Sequence, residues 1–352
     1  MNPARSHSAK IVLLALMGVF TIAICLCSLN TGPVEFSSGE TAQVLAYRLG
    51  LTSEQPAVLT DTVVWDLRLP RIVLGLAVGA GISLAGAAMQ GLFRNPLADP
   101  GIIGVSSGAA TGGVLAILFG GIIAGASAHL VQYMLPIFAM AGGVGVTFLI
   151  YRLSSIGGRT HIATMLLTGI AINAISGALI GYVVTRFADD TQIRTITFWT
   201  LGSLAGANWQ SSLLVAGLTL AGGAWVISQW RALNAFLLGE AEAFQLGVNV
   251  QLVKRGLIFV TAAMVGITVA ACGVIGFVGL VVPHMIRISL GPDHRWLLPG
   301  SAILGGAVLV GADLGARTLV APAELQIGIL TALIGGPFFL GLLLSAKRKL
   351  SI

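Results

Sequence analysis

The chain has 352 residues, 56% hydrophobic and only 9% charged, with a mean hydropathy of +0.95. That balance excludes a soluble fold and leaves an all-α polytopic membrane protein. The formal net charge of +6 is explained by membrane orientation, not by nucleic acid, once the basic residues are placed along the chain.

The first apolar run, 11–29, follows Arg5 and Lys10. It is long for a signal-peptide core and lacks a good small-residue cleavage pattern, so it reads as a retained first span. Cys25 and Cys27 lie in this run and Cys272 in another, which marks all three as packing residues outside any disulfide framework. A polar segment, 30–68, precedes span 2 at 72–93, whose Gly75, Gly79, Gly81 and Gly86 let helix backbones touch. The stretch RNPLADPG at 94–101 packs two prolines and an Asn into a turn. The uncharged run from 100 to 151 is too long for one crossing of about 20 residues. It divides near 129–136 into span 3 at 102–123 and span 4 at 133–151. Span 5 covers 162–185. The run 195–209 is too short and glycine-broken to cross, and reads as a partial or re-entrant helix. Spans 6 to 10 follow at 211–230, 252–271, 274–290, 296–317 and 325–346, before the basic tail Lys347–Arg348–Lys349.

Ten crossings put both termini on one side. That side then carries 13 basic residues against four acidic ones, and the opposite side six against nine. The positive-inside rule places the termini in the cytoplasm. Two halves of five spans each would be oppositely oriented, as in inverted-repeat transporters. The whole chain reads as one transmembrane domain, 1–352.

Between spans 6 and 7 lies LGEAEAFQLGV at 238–248, a polar, helix-compatible insert on the basic side. Gly239 can start a short helix, Glu240 and Glu242 suit its first turn, and Gly247 can end it. Ala243, Phe244 and Leu246 give it an apolar side. Such a helix is either an ordinary interfacial loop or a lever that another protein pushes. The chain has no G-x-x-x-x-G-K-[ST] loop, so it does not cradle nucleotide phosphates itself. It also lacks the mid-span carboxylates of an ion-coupled carrier. Asp313 lies toward the end of span 9, and Arg317, four residues on, is placed to pair with it. The driving force must then come from outside the chain.

Six stretches in order carry a resemblance: LRLPR at 67–71, RNPLADPGIIGVSSGA at 94–109, GEAEAFQLG at 239–247, GVIGFVGLVVPHMIR at 273–287, DHRWLLPG at 293–300 and AELQIGILTALIGGPFF at 323–339. Together they resemble the permease subunits of bacterial ABC importers for iron–siderophore, heme and cobalamin. The resemblance implies the type II importer architecture: ten helices per subunit, a homodimer, two cytoplasmic ATPase subunits carrying ATP and Mg, and a periplasmic substrate-binding protein. It implies an inner-membrane protein with no catalytic residue, no metal site and no cofactor of its own. It also assigns roles. Arg68, Arg71 and Arg317 match outer arginines that meet acidic residues of the binding protein. The competing roles are snorkelling anchors for Arg68 and Arg71, and the Asp313 pair for Arg317. Gly239, Glu240, Ala243, Leu246 and Gly247 match the motif that contacts the ATPase. Arg94, Asn95, Pro96, Pro283, His284 and Arg287 occupy further motif positions. His284 has no second ligand at metal spacing and is expected to make a structural hydrogen bond.

The segment QIRTITFWTLGSLAGANW at 192–209 resembles the heme-permease branch. Heme is therefore the favoured cargo, with a ferric siderophore or cobalamin as the alternatives. A secondary carrier driven by an ion gradient is the reading from another class.

Overall fold

The computed structural model describes residues 6–123, 125, 128–156, 159–321 and 323–350. Arg5 lies outside them, as do the side chains of His129 and of Lys347 to Lys349. The described chain is helical apart from one short hairpin. In order it runs α1 (His7–Asn30), α2 (Ser38–Arg48), α3 (Val58–Asp61), a π-turn (Thr62–Arg68), α4 (Leu69–Phe93), a 3-10 turn (Pro100–Ile103), α5 (Val105–Ile123) and α6 (Ala128–Leu153). The hairpin β1 (Ser155–Ile156) and β2 (Arg159–Thr160) leads into α7 (Ile162–Phe187), α8 (Asp190–Thr200), α9 (Trp209–Ser228), α10 (Trp230–Leu238) and α11 (Glu240–Gln245). The chain ends with α12 (Val250–Cys272), α13 (Val278–Leu290), α14 (His294–Thr318) and α15 (Ile327–Leu350).

Among the described residues, eight helices are long and apolar enough to cross a membrane, and two shorter apolar ones, Val278–Leu290 and Ile327–Gly341, accompany them. The eight long helices lie at the positions of eight expected spans, and the two shorter ones lie where spans 8 and 10 were expected. The main departures lie at breaks. Span 2 is the end of one continuous rod, Val58–Phe93, so the polar segment before it is partly helical. The predicted partial helix at 195–209 is instead α8, ending at Thr200, followed by irregular backbone.

The rod's second half, α4, is the axis of the bundle. Its most apolar window is 83% buried, against 17% for α7 and 6% for α1. Glycines allow this. A Cβ on Gly79 would stand 2.2 Å from the Gly305 carbonyl oxygen, so α4 and α14 cross backbone to backbone. The largest apolar core gathers Leu84, Met89 and Leu92 of α4 with Leu233, Leu257, Ile258 and Leu297.

The 13 residues of α13 reach only about 20 Å at 1.5 Å per residue. That is short of a bilayer core of about 30 Å, so α13 alone does not reach across one. The irregular residues 273–277 before it meet two other helix ends. Ser203 N–H donates to the Cys272 carbonyl at 2.8 Å, and the Ile327 and Gly328 N–H groups donate to Gly202 and Leu201 at 3.0 Å each. Freed backbone groups thus satisfy one another inside protein, the condition for non-helical chain at membrane depth. The approach is tight: Gly273 has φ +76°, and a Cβ there would lie 1.9 Å from the Trp199 carbonyl oxygen.

Candidate functional site

Two charged assemblies stand at opposite ends of the α4–α14 pair. At one end, the sequence brings together Arg68 and Arg71 at the start of α4 and Asp313 and Arg317 at the end of α14. Arg71 Nη2 lies 2.8 Å from Asp313 Oδ1 and 3.0 Å from Glu324 Oε2. Arg317 Nε donates to Asp313 Oδ2 at 3.1 Å, the pair expected from their spacing of four. Asp313 is 2% exposed and serves both guanidinium groups. Fully buried charges persist only when paired in this way.

Arg68 and Arg317 also do something the sequence did not suggest. The last turn of α1 contains no basic residue, and its final carbonyls lack helical partners. Arg68 Nη1 donates to the Leu29 carbonyl at 2.5 Å and Nη2 to the Val34 carbonyl. Arg317 Nη2 donates to Ser28 Oγ at 2.6 Å and to the Ser28 carbonyl at 3.3 Å. Cations from α14 and from the residue before α4 therefore cap the negative end of α1. In this conformation both arginines turn inward. A docking contact from either requires its guanidinium to leave the carbonyls it holds. Arg71 and Glu324 are the more reachable members, and all three arginines line one cavity of about 380 Å³.

At the other end lies the 239–247 stretch. The predicted helix over 239–248 is shorter, Glu240–Gln245. Gly239 precedes it at φ +139° and Gly247 follows at φ +84°, conformations that suit glycine. Glu240 and Glu242 fall in the first turn as expected. The apolar side divides. Ala243 is fully buried, whereas Phe244 and Leu246 are 72% and 64% exposed. Two large apolar side chains, Phe244 in the helix and Leu246 just past it, form a surface that a partner can cover. Behind it, Glu240 Oε1 accepts from Lys254 Nζ at 2.6 Å. Lys254 is 2% exposed and also donates to the Thr160 carbonyl at 3.2 Å.

The remaining motif positions shape the turn after α4. Arg94 takes a left-handed conformation, φ 50°, as its C-cap. Asn95 accepts from Leu97 N–H at 3.0 Å, and Pro96 packs near Leu280 and His284. Burial pushes the Asp99 carboxyl up from its ordinary range, against the opposing pull of the Gly101 amide it accepts. Arg287 Nη2 donates to Gln90 Oε1 at 2.9 Å, tying α13 to α4. Pro283 is buried within α13. The structural hydrogen bond expected of His284 is not seen at Nδ1, which is buried without a partner. The ring instead meets Phe338 edge-on at 6.2 Å, because α15 presents an aromatic face there. Among the described residues no group of three or more His, Cys, Asp or Glu could hold a metal ion.

A bundle of long apolar helices whose breaks are tied to one another inside it, charge-locked at one end and carrying a short helix with exposed apolar side chains at the other, has the build of a membrane permease. The comparisons agree. The FecCD transport family model matches residues 20–345. The hemin transport system permease protein HmuU of Yersinia pestis is 45% identical over 298 residues, 83% of this chain and 87% of that one. The cobalamin import system permease protein BtuC of Halobacterium salinarum is 41% identical, over 88% of this chain and 76% of its own. A solved ABC transporter assigned to the metal-chelate type, in an inward-facing conformation, aligns with a TM-score of 0.79 at 33% identity, covering 95% of this chain and 99% of that one. The chain belongs to the FecCD transport family.

Proposed function

We propose that this chain is the membrane-spanning subunit of an ATP-driven importer that moves heme from a periplasmic binding protein into the cytoplasm. The observation that carries the cargo is the 45% identity to a hemin permease across most of both chains. Cobalamin permeases at 40–41% identity make a corrinoid the nearest alternative, with a ferric siderophore behind it.

The engine is a separate ATPase binding ATP and Mg, docked at α11 through Glu240, Phe244 and Leu246. Gly239, Ala243 and Gly247 shape and seat that helix. All ten apolar segments cross the inner membrane, with both termini and α11 in the cytoplasm. The arginine cluster then faces outward, where a binding protein meets Arg71 and Glu324 on a surface that Arg68 and Arg317 hold in shape. A second copy of the chain completes the pathway. Its support is α7, a 26-residue helix that buries only Met165, Gly169, Ser176 and Val183 within its own subunit. Contacts by lipid and by that second copy would cover the rest. The chain itself holds no cofactor in this reading.

The test is uptake by vesicles containing the purified permease, the co-encoded ATPase and the binding protein, supplied with hemin, cobalamin or a ferric chelate. ATP-dependent hemin uptake is expected. Uptake of cobalamin alone would replace the cargo. Uphill uptake without the ATPase, lost with the ion gradient, would replace the mechanism by that of a secondary carrier.

A further inference from the structure

The lysine behind α11 is placed between two moving parts. Lysine is almost never fully buried unless paired, and Lys254 has two partners on different elements. One is Glu240, the first residue of α11, 2.6 Å away and 40% exposed. The other is the carbonyl of Thr160, the last residue of β2, at 3.2 Å. Thr160 stands just before α7, and the Met165 N–H already reaches back to the His161 carbonyl. The hairpin is fastened to the same place twice, since the Thr160 N–H donates to Gln251 Oε1 at 3.4 Å. Its far side is closed by the His161 N–H on the Ser154 carbonyl at 3.1 Å.

This arrangement links three elements that are distant in sequence. When α11 shifts, Lys254 either follows Glu240 or loses it. If it follows, its flexible stem draws on Thr160 and thereby on the first turn of α7. If it loses Glu240, a buried ammonium keeps only a neutral carbonyl, and a buried cation without its anion is costly. Both responses tie the position of α11 to the position of the hairpin, so intermediate arrangements are disfavoured. A purely structural ion pair at this place would be served as well by two packed apolar residues. What the charge adds is a connection that reaches from a half-exposed surface acid to a backbone group at the base of the least enclosed long helix but one.

We propose that Lys254 is a positioning residue that carries the displacement of α11 to the base of α7 through the Thr160 carbonyl. This rests on the importer reading above, in which a partner ATPase moves α11.

The experiment uses the full transporter with its ATPase and binding protein in vesicles. Two quantities are read: cargo imported per ATP hydrolysed, and the ATP-dependent change in distance between spin labels at Leu167→Cys in the two copies, with the native cysteines replaced. Leu167 is 70% exposed on α7 within its own subunit, so the label displaces no packed side chain there. Lys254→Met is expected to cut cargo per ATP at least tenfold and abolish the distance change. Lys254→Arg, which keeps the cation, restores most of both. Glu240→Gln, altered only at the half-exposed partner and therefore folded, gives a loss of about threefold to tenfold. Unchanged cargo per ATP and an unchanged distance response in Lys254→Met would overturn the proposal. If Lys254→Met does not assemble, an unchanged Glu240→Gln would overturn it equally. Failure of the unsubstituted transporter to couple import to ATP would instead remove the importer reading.

Discussion

The two ends of the α4–α14 pair bury charge in opposite ways. At the arginine end, Asp313 is shared by Arg71 and Arg317, and Arg68 and Arg317 reach on to the end of α1. Asp313 and the three arginines each have more than one partner, so no single contact among them can open without others holding. At the α11 end, Glu240 meets α12 through Lys254, Thr160 is held by Lys254 and Gln251, and one end of the chain is in solvent. A closed network fixes the relative position of helices, whereas an open chain relays a push. In the proposed relay, the arginine end is the rigid part of the molecule and the α11 end the movable one.

The strongest way to break this comparison is to remove the centre of the closed network. Asp313→Asn leaves two nearly buried guanidinium groups without their common anion. Breaking a buried pair from one side costs about 3–5 kcal/mol, and Arg71 recovers part of that through Glu324. Denaturant or thermal unfolding in detergent should show the loss. A change below about 1 kcal/mol would mean that α1, α4 and α14 are held by apolar packing alone.

How far the sequence could anticipate this contrast depends on the distance over which each contact forms. The spans were legible because about 20 apolar residues in a row have one physical meaning. The Asp313–Arg317 pair was legible because four residues on a helix is a fixed geometry. The glycines at α11 marked their own conformations. Arg68 was not legible as a cap for α1, because its partners Leu29 and Val34 lie on segments that only the folded bundle brings to it. Lys254 counted as one more basic residue on the cytoplasmic side. Its burial goes with the contact to Thr160 of β2, a partner far away in sequence. The irregular 273–277 segment was hidden for another reason. Its residues are as apolar as a span, and composition does not distinguish a helix from a break satisfied by other backbone.

The second prediction sharpens the movable end. Phe244 is 72% exposed and supports no core. Phe244→Glu should leave the unfolding midpoint unchanged. It should weaken binding of the ATPase by about 10- to 100-fold, or about 1.4–2.8 kcal/mol, the loss expected for an aromatic anchor at an interface. Affinity of the detergent-solubilised permease for the ATPase measures it. Equal affinity in the variant would move the contact off this face of α11.

The smallest effect is expected where the closed network meets solvent. Glu324 holds Arg71 through two hydrogen bonds, at 3.2 and 3.0 Å, and is 37% exposed. Water and salt screen such a pair, and exposed pairs contribute roughly 0–1 kcal/mol. Glu324→Gln should therefore cost well under 1 kcal/mol at ordinary ionic strength, because Asp313 still holds Arg71. The same substitution removes the carboxylate that competes for Arg71's outward donors. If a binding protein docks there with its own acids, its association with the variant should be faster at low salt and equal to the parent at high salt. A stability loss as large as that of Asp313→Asn would place Glu324 inside the lock. An association rate indifferent to both the substitution and salt would mean that Arg71 serves only the fold.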